Sequence, residues 1–101
     1  MGRYVTVGHD EFDRIHSVTL PSWERVDSRL TRTLAVESFG SAAELALQIA
    51  RIADELDHHP DIDIRFPGKV LVSTTTHETG GLTTLDLELA RRISELRTNK
   101  T

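Results

Sequence analysis

The residues best suited to chemistry are two adjacent histidines, His58 and His59, which lie between acidic residues and a proline in the segment Asp54–Asp61. A third histidine, His77, follows nineteen residues after His58. The imidazole side chain has an unperturbed pKa of about 6.5, so it can both accept and donate a proton near neutral pH. Three such groups brought into one cleft would favour proton-transfer chemistry.

The element before the histidines is predicted to be a helix. Ser41 is followed three residues later by Glu44, which is the capping-box pattern of a helix N-terminus. Because the residue before a proline disfavours the helical conformation, Pro60 should end this helix near Asp57, which places both histidines at its C-terminus. The helix dipole there favours an imidazolium by about 0.3–1 kcal/mol. The apolar side chains recur at helical spacing as Leu45, Ile49, Ile52 and Leu56.

A β-hairpin is predicted directly after the histidines. Residues 62–66 alternate apolar and charged side chains, residues 70–76 are a β-branched run, and the turn signal Pro67-Gly68 separates them. If the turn residues occupy the centre of the loop, the count of paired residues puts His77 level with His58. The three histidines should therefore share one end of the hairpin, even if the register slips by a residue or two.

The remaining elements complete an α+β fold. We expect a short first helix capped by Asp10, two strands at 23–26 and 30–36, and a last helix capped by Thr83 together with Asp86. The predicted class is a four-stranded antiparallel sheet with helices packed on one face, in the order α-β-β-α-β-β-α. Residues 1–101 should form a single domain, with loose tails at 1–8 and 98–101.

Composition excludes several classes of protein. The formal charge of −4 argues against nucleic acid or an anionic membrane as a partner, and no segment has the run of about 20 apolar residues that a membrane span needs. With no cysteine there is no disulfide framework or thiolate chemistry. No signal-peptide pattern is present, so we expect a cytoplasmic protein.

A metal site is the main alternative to acid–base chemistry, because histidine and aspartate are good zinc ligands. Successive residues of an extended chain point in opposite directions, so His58 and His59 are poorly placed to bind one ion. We therefore expect no metal. We also expect His9 and His16 to be exposed, and Trp23 and Phe39 to lie in the core.

The pattern Asp54-x-x-x-His58-His59-Pro60, followed by Phe66, His77 and Asp86, resembles the signature of the pterin-4a-carbinolamine dehydratases. Trp23, residues 30–39 and the segment 80–83 also fit that family, so the resemblance covers roughly residues 18–97. The sequence differs from the family pattern in two places. Ile62 stands where many members have an aromatic residue, and ten residues rather than nine separate Phe66 from His77.

The resemblance implies a hydro-lyase that dehydrates 4a-hydroxytetrahydropterin to quinonoid dihydropterin, which recycles the tetrahydropterin cofactor of aromatic amino acid hydroxylases. His58, His59 and His77 would be the catalytic acids and bases, with no cofactor and no metal. Asp54, Asp57 and Pro60 would bind the pterin substrate or orient the imidazoles. Asp86 fits the signature too, although a negative charge at a helix N-terminus explains it equally well.

A second class of function stays open, namely a non-catalytic interaction module on the same scaffold. The family includes a member that stabilises a transcription-factor dimer. For this chain we expect a homodimer or homotetramer. Its strand edges contain no proline that would prevent pairing with a second chain, and Val70 and Val72 are expected to leave apolar surface for a partner.

Overall fold

A computed structural model describes residues 5–96 of the chain. Three helices and four strands alternate in the predicted order α-β-β-α-β-β-α, which confirms the α+β class. The helices are α1 (His9–Thr19), α2 (Phe39–Leu56) and α3 (Thr84–Ser94), and the strands are β1 (Glu24–Val26), β2 (Arg29–Ala35), β3 (Asp61–Arg65) and β4 (Lys69–Thr74). Among these residues, no helix is both long and apolar enough to cross a membrane.

The four strands form one antiparallel sheet in the order β1-β2-β4-β3. One face of this sheet is apolar because alternate residues of the two central strands point the same way. Helix α2 packs against β3, β4 and α3, so the helices close over that face. The fully buried side chains of this core include Trp23, Leu30, Ile49, Val70, Val72, Leu89 and Ile93.

The hairpin register differs from the prediction by one residue. Arg65, and not Phe66, pairs with Lys69, so the loop consists of residues 66–68. Gly68 is the cause, because its carbonyl accepts from the Val36 amide at 2.8 Å and continues the ladder with β2. Its backbone runs so close that a Cβ at this position would lie 2.5 Å from the Val36 carbonyl oxygen. Gly68 is therefore the last residue of the loop, where the backbone rejoins the sheet beside Val36, and it is not at the loop centre.

The change of register reverses the predicted faces of the hairpin. Val70 and Val72 were expected on a free surface, but both are fully buried. The opposite face of the sheet carries mainly polar side chains, among them Thr31, Asp63 and Ser73. The strands that were expected to offer free edges are also central, and the edges of the sheet are β1 and β3.

The N-terminal segment was predicted to be a loose arm, but residues 5–7 are hydrogen-bonded to the chain around the start of α3. Val7 donates its amide to the Leu82 carbonyl at 3.0 Å, and Val5 accepts from the Thr84 amide at 2.9 Å. The other part of that prediction, residues 1–4 together with 98–101, lies outside the described residues. Helix α1 follows Gly8 without a side-chain cap, so Asp10 lies in its first turn and is not the cap.

Two single-residue expectations are also wrong. Phe39 is 51 % exposed, because it is the first residue of α2 and lies outside the apolar stripe. His16 is half-buried, with its ring stacked on Phe12 and its Nε2 atom in hydrogen-bonding contact with the Trp23 carbonyl. Trp23 is buried as predicted, whereas the side chain of His9 is outside the described part of the structure.

The cap of α2 is Ser38 and not Ser41. The Ser38 hydroxyl accepts from the Ser41 amide at 3.0 Å, and it donates to the Ser41 hydroxyl at the same distance. Ser41 therefore occupies the third helical position, and its hydroxyl accepts no hydrogen bond from a backbone amide between residues 5 and 96. The helix begins one turn earlier than the capping-box pattern predicted.

We expect the substitution Ser38→Ala to lower the free energy of unfolding by about 0.5–2 kcal/mol, because it leaves a helix-terminal N–H without its acceptor. Ser41→Ala is the matched control and should cost less, since within residues 5–96 that hydroxyl bonds only to Ser38. Urea denaturation of both variants measures the difference. A larger loss for Ser41→Ala would return the cap to the predicted position.

Candidate active site

The C-terminus of α2 fixes where His58 enters the site. Asp57 adopts the left-handed conformation with φ of 53°, and its amide donates to the Asp54 carbonyl at 3.2 Å. The His58 amide then donates to the Ala53 carbonyl at 3.1 Å. This pair of hydrogen bonds is a Schellman motif, which ends the helix in a defined direction. The helix ends at Leu56, as the position of Pro60 predicted.

His58 reaches a buried carboxylate. Its Nε2 atom lies 2.7 Å from Oδ1 of Asp86, and the side chains are 10 % and 0 % exposed. Asp86 is the third residue of α3, so its charge also faces the positive end of that helix dipole. A buried charge is tolerated only when hydrogen bonds and opposite charge compensate for lost hydration, so the surroundings of Asp86 matter for the whole site.

Three further donors surround the Asp86 carboxylate. Thr74 donates its hydroxyl to Oδ1 at 2.6 Å, while Thr76 donates its hydroxyl to Oδ2 at 2.7 Å. The Thr83 amide donates to Oδ2 at 3.0 Å, which completes the predicted capping box of α3. Both oxygens of Asp86 therefore have two polar contacts each. The hydrogen-bonding capacity of the buried carboxylate is therefore used on both oxygens.

His59 occupies a different environment from its neighbour. Its Nε2 atom lies 2.9 Å from Oδ1 of Asp54, and these side chains are 57 % and 75 % exposed. The two adjacent histidines thus each have an aspartate partner, one buried and one at the surface. Asp54 and His59 are therefore within hydrogen-bonding distance of each other at the surface.

His77 lies in the turn that follows β4, and its side chain is exposed. The turn is closed by the Gly80 amide, which donates to the Thr76 and His77 carbonyls at 3.1 and 3.2 Å. The imidazole makes no hydrogen bond with any residue between 5 and 96. With the observed register, Thr76 and not His77 is level with His58, and both of those side chains contact Asp86.

Of the three histidines, only His58 contacts Asp86 among residues 5–96, and the other two are linked to this contact through their neighbours in the chain. His58 contacts the carboxylate, His59 is the next residue in the chain, and His77 directly follows Thr76, which also contacts it. Asp57 is exposed and Pro60 is half-buried, on either side of the histidine pair. The sequence pattern had indicated Asp86, but its use as a helix cap concealed its contact with His58. Its spacing from Thr83 explained it locally, so its place in the family signature was the one sequence signal that could have indicated a second role.

Two cavities on the surface do not include the histidines. One of about 600 Å³ opens beside Gly80 and Gly81, in the turn after His77, and the other of about 260 Å³ lies on the polar face of the sheet. The histidine site is therefore defined by its side chains and not by either of these cavities. Across residues 5–96, no group of three or more potential ligand side chains is arranged to hold a metal ion.

This combination of fold and site, a helix-covered antiparallel sheet with a histidine held by a buried aspartate, defines a candidate acid–base enzyme. Comparison with known proteins is consistent with that class. Residues 8–96 match the model of the family described as pterin 4 alpha carbinolamine dehydratase. The chain belongs to this family.

Individual relatives give the same result. The chain is 43 % identical over 77 residues to a protein from Thermomicrobium roseum, a match that covers 76 % of this chain and 82 % of the relative. It is 46 % identical over 77 residues to a protein from Nocardia farcinica, which covers 76 % and 80 % of the two chains. Both relatives carry the name "Putative pterin-4-alpha-carbinolamine dehydratase".

The fold also has a solved counterpart. The crystal structure titled transcriptional coactivator/pterin dehydratase from Brucella melitensis superimposes with a TM-score of 0.80 at 28 % sequence identity. The superposition covers 89 % of this chain and 96 % of the other. The architecture is therefore shared almost over its full length.

We expect the two His–Asp pairs to differ sharply in their contribution to stability. Asp86→Ala should lower the free energy of unfolding by about 3–5 kcal/mol, because it removes the acceptor of four buried donors. Asp54→Ala should cost less than about 1 kcal/mol, since that pair is exposed. Equal denaturation midpoints for the two variants would contradict the burial of Asp86.

Proposed function

We propose that the chain catalyses the dehydration of 4a-hydroxytetrahydropterin to quinonoid dihydropterin, and thereby recycles a tetrahydropterin cofactor. The observation that carries the proposal is the buried pair of His58 and Asp86 in a member of this family. A buried carboxylate that orients one imidazole among several is an arrangement suited to general acid–base catalysis.

The reaction is the loss of one water molecule from the substrate. A proton is delivered to the 4a-hydroxyl as the carbon–oxygen bond breaks, and a proton is removed from the neighbouring ring nitrogen. One imidazole in its protonated form and one in its neutral form can perform these two transfers. Correctly placed acids and bases typically accelerate such steps by about 10²–10⁴-fold.

We assign His58, His59 and His77 to proton transfer, and Asp54, Asp57 and Pro60 to binding the substrate. The pterin ring presents amino and ring N–H groups, which exposed carboxylates can accept as hydrogen bonds. Asp54 also orients His59 through its 2.9 Å contact. Asp86 is a positioning residue in this scheme, because it acts on the substrate only through His58.

The direct test is a stopped-flow measurement with chemically generated 4a-hydroxytetrahydropterin. The purified chain should accelerate the dehydration over buffer, and the acceleration should persist in the presence of a chelator. Activity that disappears with the chelator and returns with zinc would replace acid–base catalysis by a metal mechanism.

Within the same assay, replacement of His58, His59 or His77 by alanine should each lower kcat/KM by roughly 10²-fold or more. Arg65→Ala is a suitable control, since this exposed residue lies at the far end of β3. His16→Ala is unsuitable, because the ring packs on Phe12 and contacts the backbone at Trp23. Wild-type activity in His77→Ala would remove that residue from the site.

A second function has one specific observation in its favour. The Brucella melitensis counterpart is titled a transcriptional coactivator as well as a pterin dehydratase. An interaction module of this kind would fold identically and would need no imidazole. Absence of acceleration over buffer in the stopped-flow assay would favour this alternative. A cytoplasmic place of action fits the acidic, cysteine-free composition.

We also propose that the chain assembles as a homodimer or homotetramer. The supporting surface is the outer face of α2 and the neighbouring β3 edge, which replaces the valine surface expected from the sequence. Phe39 and Leu47 are each 51 % exposed on α2, and Ile64 and Phe66 are exposed in or next to β3. Exposed apolar side chains of this size commonly mark an interface.

Light scattering at micromolar concentration should give a mass of two or four times 11.3 kDa. Leu47→Glu should lower the mass, because a charge would be buried at the proposed interface. Ala35→Glu is the control on the polar face of the sheet and should leave the mass unchanged. A wild-type mass that stays at the monomer value as concentration rises would contradict assembly.

A further inference from the structure

We propose that Thr74 and Thr76 are positioning residues that act through Asp86 to hold His58 in the tautomer protonated at Nε2. Nδ1 is then the ring nitrogen that exchanges a proton with the substrate. The identity of that substrate rests on the proposed function, whereas the tautomer is a property of the folded chain alone.

The hydroxyl groups around Asp86 form a chain with one direction. The Leu85 amide donates to the Thr83 hydroxyl at 3.3 Å, and the Thr83 and Thr76 hydroxyls are 2.7 Å apart. Thr76 has a single hydroxyl proton, which it donates to Oδ2 of Asp86. Thr83 must therefore donate to Thr76, and every step of the chain points toward the carboxylate.

The other oxygen of Asp86 is shared between Thr74 and His58. The Thr74 hydroxyl donates to Oδ1 at 2.6 Å, and the His58 Nε2 atom lies 2.7 Å from the same oxygen. An ionised carboxylate can only accept hydrogen bonds. Thr74, Thr76 and the Thr83 amide already donate to the two oxygens, so we assign Nε2 of His58 as the donor in its contact with Oδ1.

If Nε2 carries the proton, Nδ1 is the ring nitrogen of His58 that is available for proton exchange. This atom makes no hydrogen bond with any of the described residues, and the side chain retains 10 % exposure. In the neutral ring Nδ1 carries the free electron pair, which takes up a proton to form the imidazolium. Nε2 keeps its contact with Asp86 in both states, and release of the proton from Nδ1 restores the starting state.

The test combines histidine nitrogen NMR with kinetics on the full chain. In protein labelled with ¹⁵N-histidine at a pH where the ring is neutral, long-range proton–nitrogen spectra distinguish the protonated from the bare ring nitrogen. The His58 signals are assigned by their loss in His58→Gln. We expect a protonated Nε2 and a bare Nδ1 in the wild type.

Thr74→Val preserves the shape of the side chain and removes one donor to Oδ1. We expect a mixture of His58 tautomers and a fall in kcat of roughly tenfold, with KM changed by less than about twofold. Thr74→Ser should restore both values. Thr75→Val is the matched control, because its buried hydroxyl donates to the Ser28 carbonyl at 2.6 Å and not to Asp86.

A bare Nε2 in the wild type would overturn the inference, and so would equal effects of Thr74→Val and Thr75→Val on the tautomer and on kcat. If Thr74→Val fails to fold, the wild-type spectrum and Thr76→Val decide in its place. A chain with the expected tautomer response but no dehydration would refute only the proposed function. Dehydration by a chain protonated at Nδ1 would refute only the positioning by Thr74 and Thr76.

Discussion

The carboxylate of Asp86, which has no exposed surface, is the constraint on which the site depends. Removing a carboxylate from water costs several kcal/mol unless donors replace the lost hydration. The donors here come from three separate parts of the fold, namely the end of β4, the N-terminus of α3 and the segment that follows α2. The carboxylate can be buried only if these three parts of the fold meet. The same packing that supplies its hydrogen-bond donors therefore also places His58 in the site.

Strand β4 and the two residues after it supply hydroxyl donors to Asp86 without interrupting the packing of the core. Val70, Val72, Thr74 and Thr76 occur at every second position, and all four are buried. The first two face Leu34 and its neighbours in the core, whereas the last two bind the carboxylate. Valine and threonine have nearly the same shape, so one continuous row of β-branched side chains serves first as apolar core and then as donors.

The elements and their order could be predicted from the sequence because periodicity reports directly on burial. The strand pairing was harder to predict, since a slip of one residue exchanges the two faces of a strand. Here the slip arises from Gly68, whose role in the ladder depends on its distance from Val36, a residue far away in the chain. That error also produced the wrong expectation of an apolar surface at Val70 and Val72, because the register decides which face they occupy.

The candidate site could be predicted in part for similar reasons. The hairpin count correctly brought the end of β4 close to the end of α2, and that proximity tolerates a shift of one residue. It did not identify Asp86 as the partner of His58, because a capping box already accounts for an aspartate three residues after Thr83. The expectation that His16 is exposed was also wrong, because its contact with the Trp23 carbonyl depends on how α1 lies against the start of β1. Local patterns reveal one role of a side chain, whereas tertiary contacts can give it a second.

The different environments of the two neighbouring histidines have a chemical consequence. His58 and His59 follow each other where the chain leaves α2, and successive side chains of an extended chain point to opposite sides. His58 therefore turns inward to the buried Asp86, while His59 turns outward to the exposed Asp54. A dehydration that removes one proton and delivers another needs two groups in different protonation states at the same moment. The end of helix α2 gives two consecutive histidines different surroundings, one against a buried carboxylate and one at the surface, and such a difference is what the proposed chemistry requires of two identical side chains.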